Sequence, residues 1–343
     1  MRNLTKSFVA KTILISKRLA PILAFAVPFI ILYYLYPGSF EITWKGRTYY
    51  LFFIWLLFLE TLSSWDKFKT SKWQLKSFRT VLFPIVLALP TIYVVAANYL
   101  GLNSLSMDYF RNNLGSTISF VEMMPLAIEY LVFTIMLSAI IITEYSVYDL
   151  SKYALSTFFL GIIGFIYTID NLYPYGRFTP FQIIVPTTAH FAANVLNLMG
   201  YETTVTVINS STYGIIPSLK VNGMPSIGIA WPCSGIDSLI IYSVAVLLFL
   251  KNSGFSRKQL IGCFIIGAVI TYFINVLRIV TILITGLNYG VGSAQWTRFH
   301  DYYGPLYSIT WIMAYPLIII ALDTLWKKLK NKKRETSQVT EPN

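Results

Sequence analysis

Runs of about 17–25 apolar residues recur along nearly the whole chain, each long enough at about 1.5 Å per helical residue to cross a hydrocarbon core about 30 Å thick. Backbone in hydrocarbon must satisfy its own hydrogen bonds, so such runs fold as helices. Of the 343 residues, 55% are hydrophobic and only 12% charged, which excludes a pair of ordinary soluble domains. The pattern predicts an all-α polytopic membrane protein with about eight transmembrane helices: Leu19–Tyr36, Thr48–Leu62, Thr80–Leu100, Leu126–Thr143, Tyr153–Ile169, Ile236–Leu250, Gln259–Gly286 and Leu306–Leu325. Arg2, Lys6, Lys11, Lys17 and Arg18 precede the first run in the manner of a signal peptide. That run is too long for a signal h-region and lacks a small-residue cleavage site after it, so a retained span is expected.

A ninth stretch, Thr179–Met199, decides the topology. It contains Pro180 and Pro186, and it places His190, Asn194 and Asn197 on one helical face, so it is amphipathic rather than uniformly apolar. If it does not span, 20 of the 27 Lys and Arg fall in cytoplasmic segments and six fall outside, namely Lys45, Arg47, Arg111, Arg177, Lys220 and Arg298. If it does span, the two sides hold 13 each, with Arg278 inside a span in both cases. The positive-inside rule therefore predicts eight spans, cytoplasmic termini and an interfacial helix on the outer surface. Clustered between spans in this way, the basic residues behind the net charge of +12 are topology determinants, and no nucleic-acid partner is expected.

Between this helix and the sixth span, Glu202 to Ile208 and Ser218 to Val221 alternate polar and apolar side chains, predicting a small outer β element. It leads directly into Trp231-Pro232-Cys233-Ser234-Gly235. The organisation expected is an N-terminal membrane region of five spans over 1–178, a catalytic core over 179–326 and a basic cytoplasmic tail over 327–343.

Two cysteines and two histidines exclude a disulfide framework and the usual zinc sites, and no phosphate-binding glycine loop is present; no metal or cofactor is expected. Cys263 lies in an apolar helical run and reads as packing. Cys233 falls at the outer mouth of the sixth span, and His300 in the outer loop between the last two. Arg278 lies in the seventh span eight residues before Gly286, so about 12 Å below that helix end. A guanidinium at that depth costs about 3 kcal/mol or more unless it faces a polar cavity, which marks it as functional. The alternative is a structural charge paired with Asp237 or Glu129. A helix N-terminus, an arginine and a histidine are what lower a cysteine's pKa and make it nucleophilic. Arg278 would hold an oxyanion and His300 would act as general acid or base. Asp237, one turn beyond Cys233, either orients Arg278 or His300 or caps the span. His190 reads as an interfacial polar-face residue.

Cys233-Ser-Gly-Ile, Asn275-Val-Leu-Arg278-Ile and Phe299-His300-Asp-Tyr-Tyr-Gly304, in that order and with that membrane placement, resemble the exosortase and archaeosortase family. The resemblance runs from about Thr179 to Leu325 and includes Pro180-Phe-Gln182 and Leu198-Met-Gly200. It implies a membrane thiol protease or transpeptidase of the cell membrane, with its active site on the extracytoplasmic face. Its partners would be substrate proteins ending in a recognition motif, a transmembrane helix and a basic tail, together with membrane lipids and a lipid or glycan acceptor. The motifs carry the nucleophile to Cys233 and oxyanion or carboxylate recognition to Arg278, with Asn275 as a supporting residue. The third role falls to His300 or, since some relatives use arginine there, to Arg298. The substrate helix would enter a cleft between the sixth and seventh spans under the β element. The competing reading is a non-proteolytic polytopic protein such as a transporter or a polyprenyl-lipid transferase. Against it stand the absence of related halves and of acidic clusters in the outer loops.

Overall fold

The computed structural model describes residues 2–42, 45–65, 78–114, 121–172, 183–210, 214–251 and 253–339. Most of the basic Trp65–Arg79 segment, Arg177 and Pro180-Phe-Gln182 lie outside the described residues. Every predicted span is a helix: α1 (Arg2–Leu35), α2 (Thr48–Ser63), α3 (Phe78–Tyr99), then, after the polar helix α4 (Leu102–Leu114), α5 (Met124–Glu144) and α6 (Ala154–Leu172). The amphipathic stretch is α7 (Val185–Leu198), followed by β1 (Thr203–Ser210), β2 (Gly214–Val221) and β3 (Ile227–Gly228). The chain ends in α8 (Ile236–Lys251), α9 (Arg257–Tyr289), the short α10 (Ala294–Arg298) and α11 (Gly304–Val339). Among the described residues six helices are long and apolar enough to cross a membrane, and the apolar stretches Thr48–Leu62 and Ile236–Leu247 are shorter. The protein is mostly helical, with six to eight span candidates and a small three-stranded sheet.

At 14 residues α7 is about 21 Å long, less than a hydrocarbon core. It buries Val185, Thr188, Ala189, Ala192, Ala193 and Leu196 while exposing His190, Asn194 and Asn197, the polar face read from their spacing. The helix α4 escapes a search for apolar runs because its surface is polar, with Asp108 and Arg111 paired at 3.5 Å one turn apart.

The chain divides into two compact units, Met1–Pro180 with Ser211–Gly214, and Phe181–Ser210 with Ile215–Asn343. The first is built on interlocking aromatic rings from α1, α2 and α5. Phe25, Phe29, Tyr50, Phe53, Tyr130 and Phe133 are nearly or fully buried, and Phe29 stacks on Tyr50 at 4.5 Å. Several buried charges in this unit have partners. Arg47 grips Glu129 with two parallel bonds of 2.8 and 3.0 Å, Tyr50 donates to the same carboxylate at 2.8 Å, and Lys45 meets Asp170 at 2.6 Å. Glu60 accepts from the amides of Leu155 and Ser156, each at 3.0 Å, at the start of α6, where orphan N–H groups and the helix dipole favour an anion.

In the second unit the sheet order is β1-β2-β3, with β2 and β3 antiparallel and Ser218 opposite Gly228. Asn222-Gly223 turns the chain after β2, Gly223 taking φ +88°. The third strand is two residues long, too short to show alternation, and is not legible in the sequence. On α9, Gly267, Thr271 and Asn275 are buried with Arg278 next along the same stripe, while Ile261, Ile265, Ile266, Val269, Phe273 and Leu277 are exposed. This reverses a soluble helix: polar groups turn into the protein and apolar ones outward, as a membrane solvent requires. A Cβ at Gly267 would run into the Tyr242 hydroxyl of α8 and the Tyr315 ring of α11, so the missing side chain lets three helices close on one point. The Tyr315 hydroxyl donates to the backbone carbonyl of Cys263 at 2.5 Å.

Candidate active site

Cys233 sits in a single 3-10 turn, Trp231–Ser234, between β3 and α8. Pro232 suits the first turn of such a segment, since its missing N–H has no partner there in any case. The Cys233 amide donates to the Ala230 carbonyl at 3.0 Å, and the Ser234 hydroxyl donates back to the Trp231 carbonyl at 2.6 Å. Gly235 then takes φ +95°, a left-handed conformation that only glycine adopts without strain, and α8 begins at Ile236. The turn is held from two helices. Asn275 of α9, wholly buried, donates its amide to the Cys233 carbonyl at 2.9 Å, and Thr188 of α7 donates to the Ser234 carbonyl at 3.3 Å while meeting the Tyr272 hydroxyl at 3.0 Å.

His300 lies in a π-turn, Phe299–Tyr303, ahead of α11. Its imidazole stands near enough to the Cys233 thiol for each to shift the other's protonation. The Asp301 carboxylate lies 2.6 Å from its Nδ1, and Trp296 of α10 stacks on the ring at 5.1 Å between centroids. The Ser293 hydroxyl accepts from the Trp296 amide and starts α10 there. Arg278 reaches the same turn. Its Nη2 donates to the His300 carbonyl at 3.4 Å, its Nε is buried without a partner among the described residues, and a Cβ on Gly304 would approach that Nε to 2.9 Å.

These neighbours act on the thiol in opposite directions. Burial pushes the pKa of Cys233 up, as does the charge of Asp237. The hydrogen bond to His300 and the positive charges of Arg278 and His300 pull it down further, and the net result lies below a free thiol. Asp237 stands in the first turn of α8 and opposes the thiolate. Glu129, one of the two acidic partners considered for Arg278, is held by Arg47.

The structure thus brings Cys233, Asn275 with Arg278, and His300 together from three separate segments of the sequence. It does not bring Arg298 to the thiol; that guanidinium is exposed and lies over the Tyr303 ring at 5.5 Å. His190 is exposed on α7. Sequence reasoning missed Asp301, Trp296, Thr188 and Gly304. The only cue for Asp301 and Gly304 was their presence beside His300 in one short motif.

The β element lies near the site. The side chains of Met224, from the turn after β2, Val291 and Trp296 all converge on Gly286 near the end of α9. An apolar groove of about 500 Å³ is lined by Ile274, Leu277, Tyr303, Leu306, Tyr307 and Thr310. It runs between α9 and α11. The reason is local: α9 turns Asn275 and Arg278 toward the Cys233 turn and π-turn, which leaves Ile274 and Leu277 to line the outer side.

A family model described as transmembrane exosortase (Exosortase_EpsH) matches residues 23–317. No curated protein and no solved structure matches the chain. The match takes in the first five spans as well as the three motifs. The chain therefore belongs to the transmembrane exosortase family, which makes it a multi-pass membrane protein of a family that is generally proteolytic and implies substrate proteins bearing a sorting signal.

Proposed function

We propose that this protein is a membrane cysteine endopeptidase and transpeptidase. In this reading it cleaves the C-terminal sorting signal of exported proteins at the extracytoplasmic face and transfers them to a lipid or glycan acceptor. The observation that carries the reading is that α9 ties the Cys233 turn to the His300 turn, Asn275 donating to the Cys233 carbonyl at 2.9 Å and Arg278 to the His300 carbonyl at 3.4 Å.

The thiol proton passes to the imidazole and the thiolate attacks the scissile carbonyl carbon. Negative charge develops on the carbonyl oxygen, and Arg278, with a buried N–H still unused, is the donor suited to it, a contribution of about 3 kcal/mol for one such group. Collapse breaks the C–N bond, His300 gives its proton to the departing amine, and the substrate remains as a thioester on Cys233. An acceptor amine or hydroxyl, or water, then loses its proton to His300 and attacks the thioester, and the thiolate leaves. In this reading the substrate's own membrane helix would lie along the apolar groove beside α9, and its basic tail would stop it at the cytoplasmic face.

The test is co-expression with a protein ending in a sorting motif, an apolar helix and basic residues. The parent should release the C-terminal segment, and hydroxylamine should intercept a thioester at Cys233. Cys233→Ala should abolish both. Processing undiminished in Cys233→Ala would sink the proposal.

A further inference from the structure

We infer that Asp301 is the positioning residue of His300. The inference rests on the reading of His300 as the acid and base for Cys233. The imidazole is held on two sides: the Trp296 ring covers its face at 5.1 Å and the Asp301 carboxylate approaches Nδ1 to 2.6 Å. An ionised carboxylate only accepts hydrogen bonds, so the ring nitrogen facing it carries the proton. The other nitrogen is then the basic one in the neutral ring, and when it takes the thiol proton the resulting cation lies beside a fixed negative charge. Nucleophile, base and orienting carboxylate stand in the order that an activated nucleophile requires.

The backbone makes this arrangement available. His300 and Asp301 are consecutive in one π-turn, whose carbonyl edge is engaged by Arg278 at 3.4 Å. The charged and titratable groups acting on His300 besides Asp301 are Arg278 from α9 and Cys233 from its turn, while Asp237 of α8 acts on Cys233, so Asp301 adds a negative charge on the exposed side of the imidazole. Asp301 is itself exposed, so its contribution is screened and its effect should be smaller than that of a buried orienting carboxylate.

The experiment uses the full chain purified in detergent. Iodoacetamide modification of the Cys233 peptide is followed by mass spectrometry from pH 5 to 9, alongside kcat and KM for substrate processing. Asp301→Ala should lower kcat on the order of 10-fold with KM unchanged, and should move the alkylation profile to higher pH. Asp301→Glu should recover most of the loss. Asp301→Asn should do no better than alanine, because its amide can donate to the ring and select the wrong tautomer. An alkylation profile and kcat unchanged in Asp301→Ala, while His300→Ala shifts both, would overturn this inference alone. If His300→Ala also leaves both unchanged, the reading of His300 falls and the inference with it.

Discussion

Asn275 donates to the carbonyl of Cys233 across 2.9 Å, and the same side chain fills the space that a Cβ on Gly235 would need, at 2.9 to 3.1 Å. The glycine is thus required twice, for its φ of +95° and for the room it leaves. This relationship ties two of the motifs to each other: Asn275 stands one turn before Arg278 on α9, so one helix both fixes the nucleophile's backbone and brings the guanidinium to it.

Gly235→Ala should therefore disable the site while the membrane helices remain intact. The left-handed conformation and the contact with Asn275 together displace the Cys233 turn, and near-attack geometry tolerates little displacement. Processing should fall by about 100-fold or more at normal protein abundance, with Cys263 chemistry unchanged. Activity within about two-fold of the parent would show that the turn relaxes without moving the thiol.

Asn275→Ala should cost both order and activity. It removes the donor to a part-buried carbonyl, and an unsatisfied buried group of that kind costs about 1–3 kcal/mol. Asn275→Asp keeps the shape but offers no N–H when ionised, so it should be at least as damaging as alanine. Thermal unfolding in detergent and turnover measured together check this; an aspartate variant equal to the parent would remove Asn275 from the positioning of Cys233.

Arg278 is open to a sterically controlled test. Gly304→Ala would bring a Cβ to 2.9 Å from Arg278 Nε and 3.0 Å from the Phe299 carbonyl, pushing the guanidinium aside without removing its charge. If Arg278 holds an oxyanion, Gly304→Ala and Arg278→Lys should both lose at least ten-fold in kcat, because position and fork geometry matter there as well as charge. If Arg278→Ala lowered abundance alone, with turnover per molecule unchanged, the arginine would be structural.

In the first unit the Arg47–Glu129 pair carries a stability prediction. Both side chains are nine-tenths or more buried and joined by two bonds, so Glu129→Ala leaves a buried guanidinium unpaired at a cost of about 3–5 kcal/mol. Replacing both residues by apolar ones of similar volume should cost far less. A Glu129→Ala protein that melts in detergent at the parent's temperature would refute this account of the unit's core.

The spans and α7 are legible in the sequence because membrane thickness and helical periodicity leave few alternatives for runs such as Thr48–Leu62 or for His190, Asn194 and Asn197 on one face. Cys233, Arg278 and His300 are legible as residue types that a membrane segment rarely carries. Asp301 is not, because adjacency in sequence does not reveal that its carboxylate lies against the neighbouring ring. The side of α9 that carries the groove depends on how that helix is rotated, and the rotation is set by contacts such as Gly267 against Tyr242 and Tyr315. Arg298 and His300 are two residues apart, and only the fold separates a guanidinium over Tyr303 from an imidazole on the thiol.

That separation gives the last prediction. Arg298→Ala removes an exposed contact with an aromatic ring, worth about 0.5–1 kcal/mol, and should leave turnover nearly unchanged. His300→Ala should lower it by about 10²–10⁴-fold, the range for a positioned acid or base. The sign of the pH effect follows from the thiol. Burial raises the pKa of Cys233 and His300 and Arg278 bring it below its ordinary value, so removing His300 moves it up and the thiolate appears only at higher pH. Iodoacetamide modification of Cys233 at pH 7 should then slow in His300→Ala and recover as the pH is raised. His300→Arg separates proton transfer from charge, since arginine stays protonated throughout. It should keep the rapid alkylation, because the positive charge remains, and yet fail in turnover, because no group can pass a proton to the departing amine. Turnover near the parent's and flat from pH 5 to 8 in His300→Arg would assign the third role to electrostatics and take proton transfer away from His300.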